Sequence, residues 1–186
     1  MLLAELREQT SPYHRKIEKN ELLRRLMGPL TLSDYIEVLK KFYGFYVPLE
    51  TQAIPRFLNK NNVFQKFYYP KLPLLKSDLD ALATASDALK LCIFTPNPAT
   101  PFGWLGVLYV LEGSCLGRAM MWPRIQQQLR LDSGGFFFST GLQDLQAHWA
   151  AFCQNMTEQV HSGSEVQEVI DGAVATYVSL DEWFKQ

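Results

Sequence analysis

Val166-Gln-Glu-Val169-Ile170-Asp-Gly-Ala173-Val174-Ala-Thr-Tyr177-Val178 decides the fold class. Its apolar residues fall at i, i+3, i+4, i+7, i+8, i+11 and i+12, one stripe with polar residues opposite, which is the period of a helix and not of a strand. Upstream, Tyr35, Ile36, Leu39, Phe42, Tyr43 and Tyr46 form a similar stripe, with Ser33 and Asp34 as starting signals and Pro48 as a kink or end. Further helices are expected near residues 2–20, 50–60, 76–92, 102–129 and 142–162, separated by segments rich in Pro, Gly and Asn. No strand pattern competes, so the expected class is all-α and multi-helical. Thr95-Pro-Asn-Pro-Ala-Thr-Pro101 cannot continue a helix, and Asp132-Ser-Gly-Gly-Phe-Phe-Phe-Ser139 reads as a loop whose aromatics pack back onto the body.

A chain of 186 residues suits one hydrophobic core, so residues 1–186 are expected to form a single domain. With 47% apolar and 20% charged residues it can bury enough surface to offset chain entropy, which excludes a disordered chain. Eighteen basic against nineteen acidic side chains give a net charge of −1, and no chain-wide field draws it to nucleic acid or an anionic bilayer. The longest strongly apolar run, Phe102 to Leu111, is about half of the roughly 20 residues a membrane helix needs. Glu5, Arg7 and Glu8 stand where an export signal would be apolar, and Cys92, Cys115 and Cys153 fit neither a disulfide framework nor a Cys-x-x-Cys metal site. A cytoplasmic protein with reduced thiols is the expectation.

Two segments can carry chemistry. In Leu6-Arg-Glu-Gln-Thr-Ser-Pro-Tyr-His-Arg-Lys-Ile-Glu18, helical spacing stacks Thr10, His14 and Glu18, with Arg7 seven residues before the histidine and roughly 10 Å away along the axis. That separation lets an imidazole bind a metal centre while a guanidinium meets an acidic group at a large cofactor's edge. An ordinary surface pair of His14 with Glu18 is the plainer reading. Pro12 leaves two courses open: a kinked helix, or a new helix with Ser11 as its cap, which would break the alignment of Arg7 with His14.

The second segment is Phe102-Gly-Trp-Leu-Gly-Val-Leu-Tyr-Val-Leu-Glu-Gly-Ser-Cys-Leu-Gly-Arg-Ala-Met-Met121. Glycine costs roughly 1 kcal/mol against alanine inside a helix, so Gly103, Gly106, Gly113 and Gly117 require a reason. Gly113 and Gly117 share a face and leave bare backbone there for something flat and bulky, with the Ser114 hydroxyl nearby. The alternative is close packing of two helices. Cys115 alone has no evident base, and His148 and His161 read as surface or packing residues.

Taken in order, Leu6-Arg-x-x-Thr-x-x-x-His-x-x-x-Glu18 and Tyr109-Val-Leu-Glu-Gly-Ser-Cys-Leu-Gly117 resemble the heme oxygenase family, most nearly its bacterial, phytochrome-associated branch. Phe136-Phe-Phe138, Trp149-Ala-Ala-Phe-Cys153 and Ala173-Val-Ala-Thr-Tyr177 extend the likeness over nearly the whole chain. The resemblance implies heme held between a proximal helix and a kinked, glycine-rich distal helix. It makes His14 the axial iron ligand, Arg7 a propionate contact and Glu18 a carboxylate beside the histidine. Gly113 and Gly117 become the distal platform, Ser114 stands where animal enzymes carry a carboxylate, and Tyr177 is an aromatic near the ring. Heme is then cofactor and substrate, opened to biliverdin with release of carbon monoxide and ferrous iron. With no nucleotide fingerprint in the chain, electrons come from a separate reductase or ferredoxin-like donor. A bacteriophytochrome is the candidate acceptor of the product.

Three departures stand out. Arg118 occupies a position where relatives have a second glycine, and it could reach a propionate, project to solvent or crowd the pocket. Trp149 and Cys153 stand where animal enzymes hold the propionates with basic residues, and Pro12 lies beside the proximal ligand. A non-catalytic heme carrier or sensor is the competing class; a thiaminase-like enzyme or a non-heme metal oxidase on the same fold is a third.

Overall fold

The computed structural model describes residues 2–140 and 144–186, and its described residues contain helices and no strand. Helix α1, Leu2–Glu18, runs unbroken through Pro12, and α2, Glu21–Arg25, starts where the Asn20 side chain accepts from the amides of Leu22 and Leu23. Helix α3, Leu32–Pro48, is opened by a capping box between Thr31 and Asp34, so that Asp34 acts as expected while the cap lies two residues before Ser33. Pro48 ends it, and one π-helical turn, Leu49–Ala53, leads into α4, Ile54–Lys60. A 3₁₀ stretch, Asn62–Phe67, precedes α5, Leu72–Ala81.

The helix expected over 76–92 is corrected here. Helix α5 ends at Ala81, Ala83 takes a left-handed φ of 50°, and the chain then crosses α3, where the Cys92 amide donates to the Gly44 carbonyl at 2.9 Å. A side chain at Gly44 would stand 2.4 Å from the Lys90 carbonyl oxygen, so the close approach needs glycine. Leucine and alanine propensity loses to backbone docking.

Helix α6, Pro101–Leu129, is the axis of the fold. Thr100 caps it by accepting from the Gly103 amide, Pro101 sits in its first turn, and its 29 residues span about 43 Å. The short α7, Phe136–Ser139, buries Phe137 and Phe138 as the loop aromatics were expected to do, and leaves Phe136 at the surface. Asp78 of α5 accepts from the amides of Phe136 and Phe137 at 2.7 and 2.9 Å, tying α7 to α5. Helix α8, Leu145–Gln159, matches the expectation for 142–162, whose first two positions lie outside the described residues. Helix α9, Gly163–Phe184, is capped by Ser162 with Glu165 and packs along α6 and α1. The core is continuous, from Leu6 and Leu39 through Val107 and Leu108 to Phe152 and Trp183.

Candidate active site

Because α1 stays helical through Pro12, Arg7, His14 and Glu18 keep their relative placement. Pro12 is exposed, so the hydrogen bond it deletes lies on the solvent side of the helix. Thr10 keeps its place one turn before His14 but is buried, and its hydroxyl donates to the Leu6 carbonyl at 2.7 Å. His14 is 53% exposed, with Nδ1 3.4 Å from a Glu18 carboxylate oxygen. A carboxylate at Nδ1 favours the proton there, which leaves Nε2 as a ligand with a free lone pair. The ring stands edge-on to Tyr177 of α9, centroids 5.6 Å apart and planes at 88°.

Arg7 reaches across to α6. Burial pushes the Tyr109 phenol above its ordinary pKa, the Cys153 thiol adds to this, and the charge and hydrogen bond of Arg7 oppose it. Burial also pushes the Cys153 thiol up to about 11, with Arg7 again opposing, so this cysteine is a neutral thiol and not a nucleophile at pH 7. Burial first, and then Tyr109 and Glu18, push the Tyr177 phenol above its ordinary value, and α1 and α6 both pack against the α9 that carries it. In the sequence Tyr109 entered only as the first residue of the Tyr109–Gly117 motif, with no role of its own.

On the α6 side, a Cβ at Gly117 would meet nothing nearer than the Met121 methyl at 4.0 Å. At Gly113 the nearest atom is the Trp149 indole, 3.2 Å from where a Cβ would stand, and that indole also packs against Tyr109 with centroids 5.2 Å apart. The Gly117 backbone is therefore not spent on helix–helix packing, whereas at Gly113 the indole of Trp149 from α8 stands against the place a side chain would take. Ser114 donates its hydroxyl to the Leu111 carbonyl at 2.7 Å. It neighbours the buried phenol of Tyr46, which burial raises, Arg118 lowers, Cys115 and Glu50 raise, and Ser114 lowers. Tyr46 was legible only as part of the α3 stripe.

Arg118 requires a correction, because it takes none of the three courses left open. It is buried, its guanidinium donates to the Phe137 carbonyl, lies 4.3 Å from the Phe137 ring and meets the Cys115 sulfur at 2.9 Å. One position along the helix rotates it about 100° from Gly117 and into the α7 aromatics. His161 is exposed, whereas His148 is half-buried and its Nε2 donates to the Phe67 carbonyl at 3.0 Å.

Among the described residues no three His, Cys, Asp or Glu side chains converge on a point that could hold a metal ion. The donor set on α1 is a single imidazole with a carboxylate behind it, which suits a metal whose other ligands are carried by a macrocycle. A bare, half-buried backbone face on α6 suits the flat side of such a ring. Two surface hollows of about 260 and 390 Å³ lie elsewhere, beside Phe57 and Phe102 and beside Lys19 and Arg25. Neither is lined by His14 or Gly113. No helix among the described residues is long and apolar enough to cross a membrane.

No curated protein matches the chain. Among solved structures, the nitric oxide- and carbon monoxide-bound heme oxygenase from Neisseria meningitidis is similar, with a TM-score of 0.70 and 19% identity over 100% of this chain and 92% of that one. At that identity the likeness establishes the all-helical fold. The family model for heme oxygenase matches residues 1–186, end to end, and so the chain belongs to the heme oxygenase family.

Proposed function

We propose that this member of the family degrades heme by opening its ring to biliverdin, with His14 as the iron ligand and the Gly113–Gly117 face as the distal wall. The observation that carries the assignment of residues is the pairing of an accessible imidazole backed by Glu18 with a glycine backbone that is open at Gly117 and faced by the Trp149 indole at Gly113. Bound heme supplies the iron that activates dioxygen and is itself the ring that is opened.

His14 would hold the iron through Nε2, with Glu18 at Nδ1 keeping the imidazole in the ligating tautomer. Arg7 and the Tyr109 hydroxyl present donors to a propionate at the cleft edge, which supports seating the ring without the basic residues that Trp149 and Cys153 replace. Gly113 and Gly117 let the ring lie against backbone. The Ser114 hydroxyl is held by Leu111, so its oxygen is oriented, and the Tyr46 phenol beside it stays protonated at neutral pH and can donate. Trp149 and the buried aromatics around Phe152 limit water on this side.

Family members take electrons from a reductase, and a ferredoxin-like protein is the class of donor this reading requires. The resemblance to the phytochrome-associated branch supports a bilin-binding photoreceptor as the acceptor of biliverdin. A hemin titration, followed in air with a reductant and with catalase present, tests the proposal. The Soret band should form and then decay as biliverdin appears, and His14→Ala should lose the imidazole-ligated spectrum while its melting temperature stays within about 2 °C, since exposed substitutions cost within about 0.5 kcal/mol. Heme that binds through His14 and survives reductant in air points instead to the carrier or sensor.

A further inference from the structure

Behind the glycine face lies a charge pair that the proposed chemistry does not use. Lys71 is 1% exposed, its ammonium is paired with Glu112, and it sits 4.2 Å above the Tyr68 ring. The backbone of Lys71 is fixed as well: Glu50 accepts from the amides of Lys71 and Leu72 at 2.7 and 2.8 Å and from the Tyr68 hydroxyl. The second carboxylate oxygen of Glu112 has no hydrogen bond and stands 3.5 Å from Nε2 of His148. That same nitrogen donates to the Phe67 carbonyl, so its hydrogen bond goes to backbone and the Glu112 oxygen stands beside it unpartnered.

The position of this cluster in the chain gives it meaning. Glu112 immediately precedes Gly113, and His148 immediately precedes Trp149, whose indole stands 3.2 Å from the Cβ position of Gly113. The contacts that hold Glu112 therefore also set how far the indole stands from the bare backbone. A buried ion pair is a poor way to gain stability, because desolvating two charges costs several kcal/mol and apolar replacements are often neutral or better. What the pair adds over two leucines is a fixed distance and direction, since a carboxylate bonded to a buried ammonium and packed beside the His148 ring tolerates little rotation.

We propose that Glu112, paired with Lys71 and standing beside His148, is a positioning residue that sets the spacing of the Gly113 backbone and the Trp149 indole, and through them the seating of heme. The inference rests on heme lying on the Gly113–Gly117 face.

The test uses the full chain with hemin, reading the dissociation rate and the ferric visible and electron paramagnetic resonance spectra. Glu112→Gln alone strands a buried ammonium and is expected to lower the melting temperature sharply. The double variant Lys71→Met/Glu112→Leu removes both charges and should keep the fold. It should nonetheless release hemin about tenfold faster, which is about 1.4 kcal/mol, and give ferric spectra of more than one species. His148→Ala should share that signature, whereas His148→Gln, which retains an N–H donor, should restore the wild-type spectrum. If the double variant does not fold, His148→Ala at a half-buried site decides the matter. Wild-type off-rates and a single wild-type spectrum in the folded variants overturn the inference alone. A wild-type chain that binds no hemin overturns the reading of the glycine face and this inference with it.

Discussion

At Gly106, in the first half of α6, a Cβ would stand 2.0 Å from the Val169 carbonyl oxygen of α9, whereas at Gly117, in the second half, nothing but the Met121 methyl lies within 4.0 Å. Gly172 of α9 completes the first region, since a Cβ there would fall 1.9 Å from the Gly103 carbonyl oxygen. Backbone meets backbone at this crossing, and glycine is the residue that permits it. In the second region the same residue type leaves a face on which only the rim is furnished, by Trp149 over Gly113 and by the Ser114 hydroxyl. One helix thus uses glycine for assembly at one end and for access at the other. Which use applies depends on what the rest of the chain brings alongside.

Substitution should separate the two uses. Gly106→Val forces a branched side chain into the α9 backbone and is expected to cost at least about 3 kcal/mol, lowering the melting temperature by roughly 6–12 °C or preventing folding. Circular dichroism during heating measures it, and a stable Gly106→Val protein would mean that the crossing is not close-packed. Gly117→Leu should have the opposite profile. Stability should hold or rise by up to about 1 kcal/mol from helix propensity, while hemin affinity falls about tenfold or more because the side chain occupies the ring's place. Unchanged hemin binding in Gly117→Leu would remove the access role from this half of α6.

The smallest effect concerns how α9 holds α1 across from that face. Asp181 accepts from Lys16 of α1 at 2.9 Å and from Lys185. Burial alone would raise its carboxyl, but the hydrogen bonds and charges of Lys185 and Lys16 outweigh this and hold it below the ordinary carboxylate value. A folded-state value below the unfolded one stabilises the fold above the ordinary carboxylate range, and that contribution is lost as pH falls through the folded value. Asp181→Asn should therefore cost about 1 kcal/mol or less at pH 7, given that both lysines are largely in solvent, and its stability should converge with wild type in acid. Urea unfolding at several pH values checks the convergence; a constant gap would assign the cost to packing and not to charge.

The helices were largely legible because their stripes are local: α3 and α9 follow from spacing alone, and α6 from an apolar, glycine-bearing segment that follows Pro101. Residues 82–92 were not, because the docking of Cys92 on Gly44 is a contact between distant segments that leaves no periodic trace. The same division runs through the site. His14 and Glu18, or Gly113 and Gly117, are neighbours on one helix, and helical geometry relates them before any tertiary structure exists. Arg118 was misread because its neighbour in space, Phe137, belongs to α7. Lys71, Glu112 and His148 come from three segments, and nothing in any one of them announces the others.

By itself, then, the sequence determined an all-helical chain and two helical faces of a heme-oxygenase type, because both depend on residues three and four apart. The tertiary structure alone decided which glycines are crossed by a helix and which are left bare, that Pro12 does not break α1, and that Trp149 is the wall over Gly113. It also decided where a buried lysine finds its carboxylate. Those outcomes are set by which surfaces meet when the helices pack, and packing distances between segments far apart in the chain are not written in the spacing of either one.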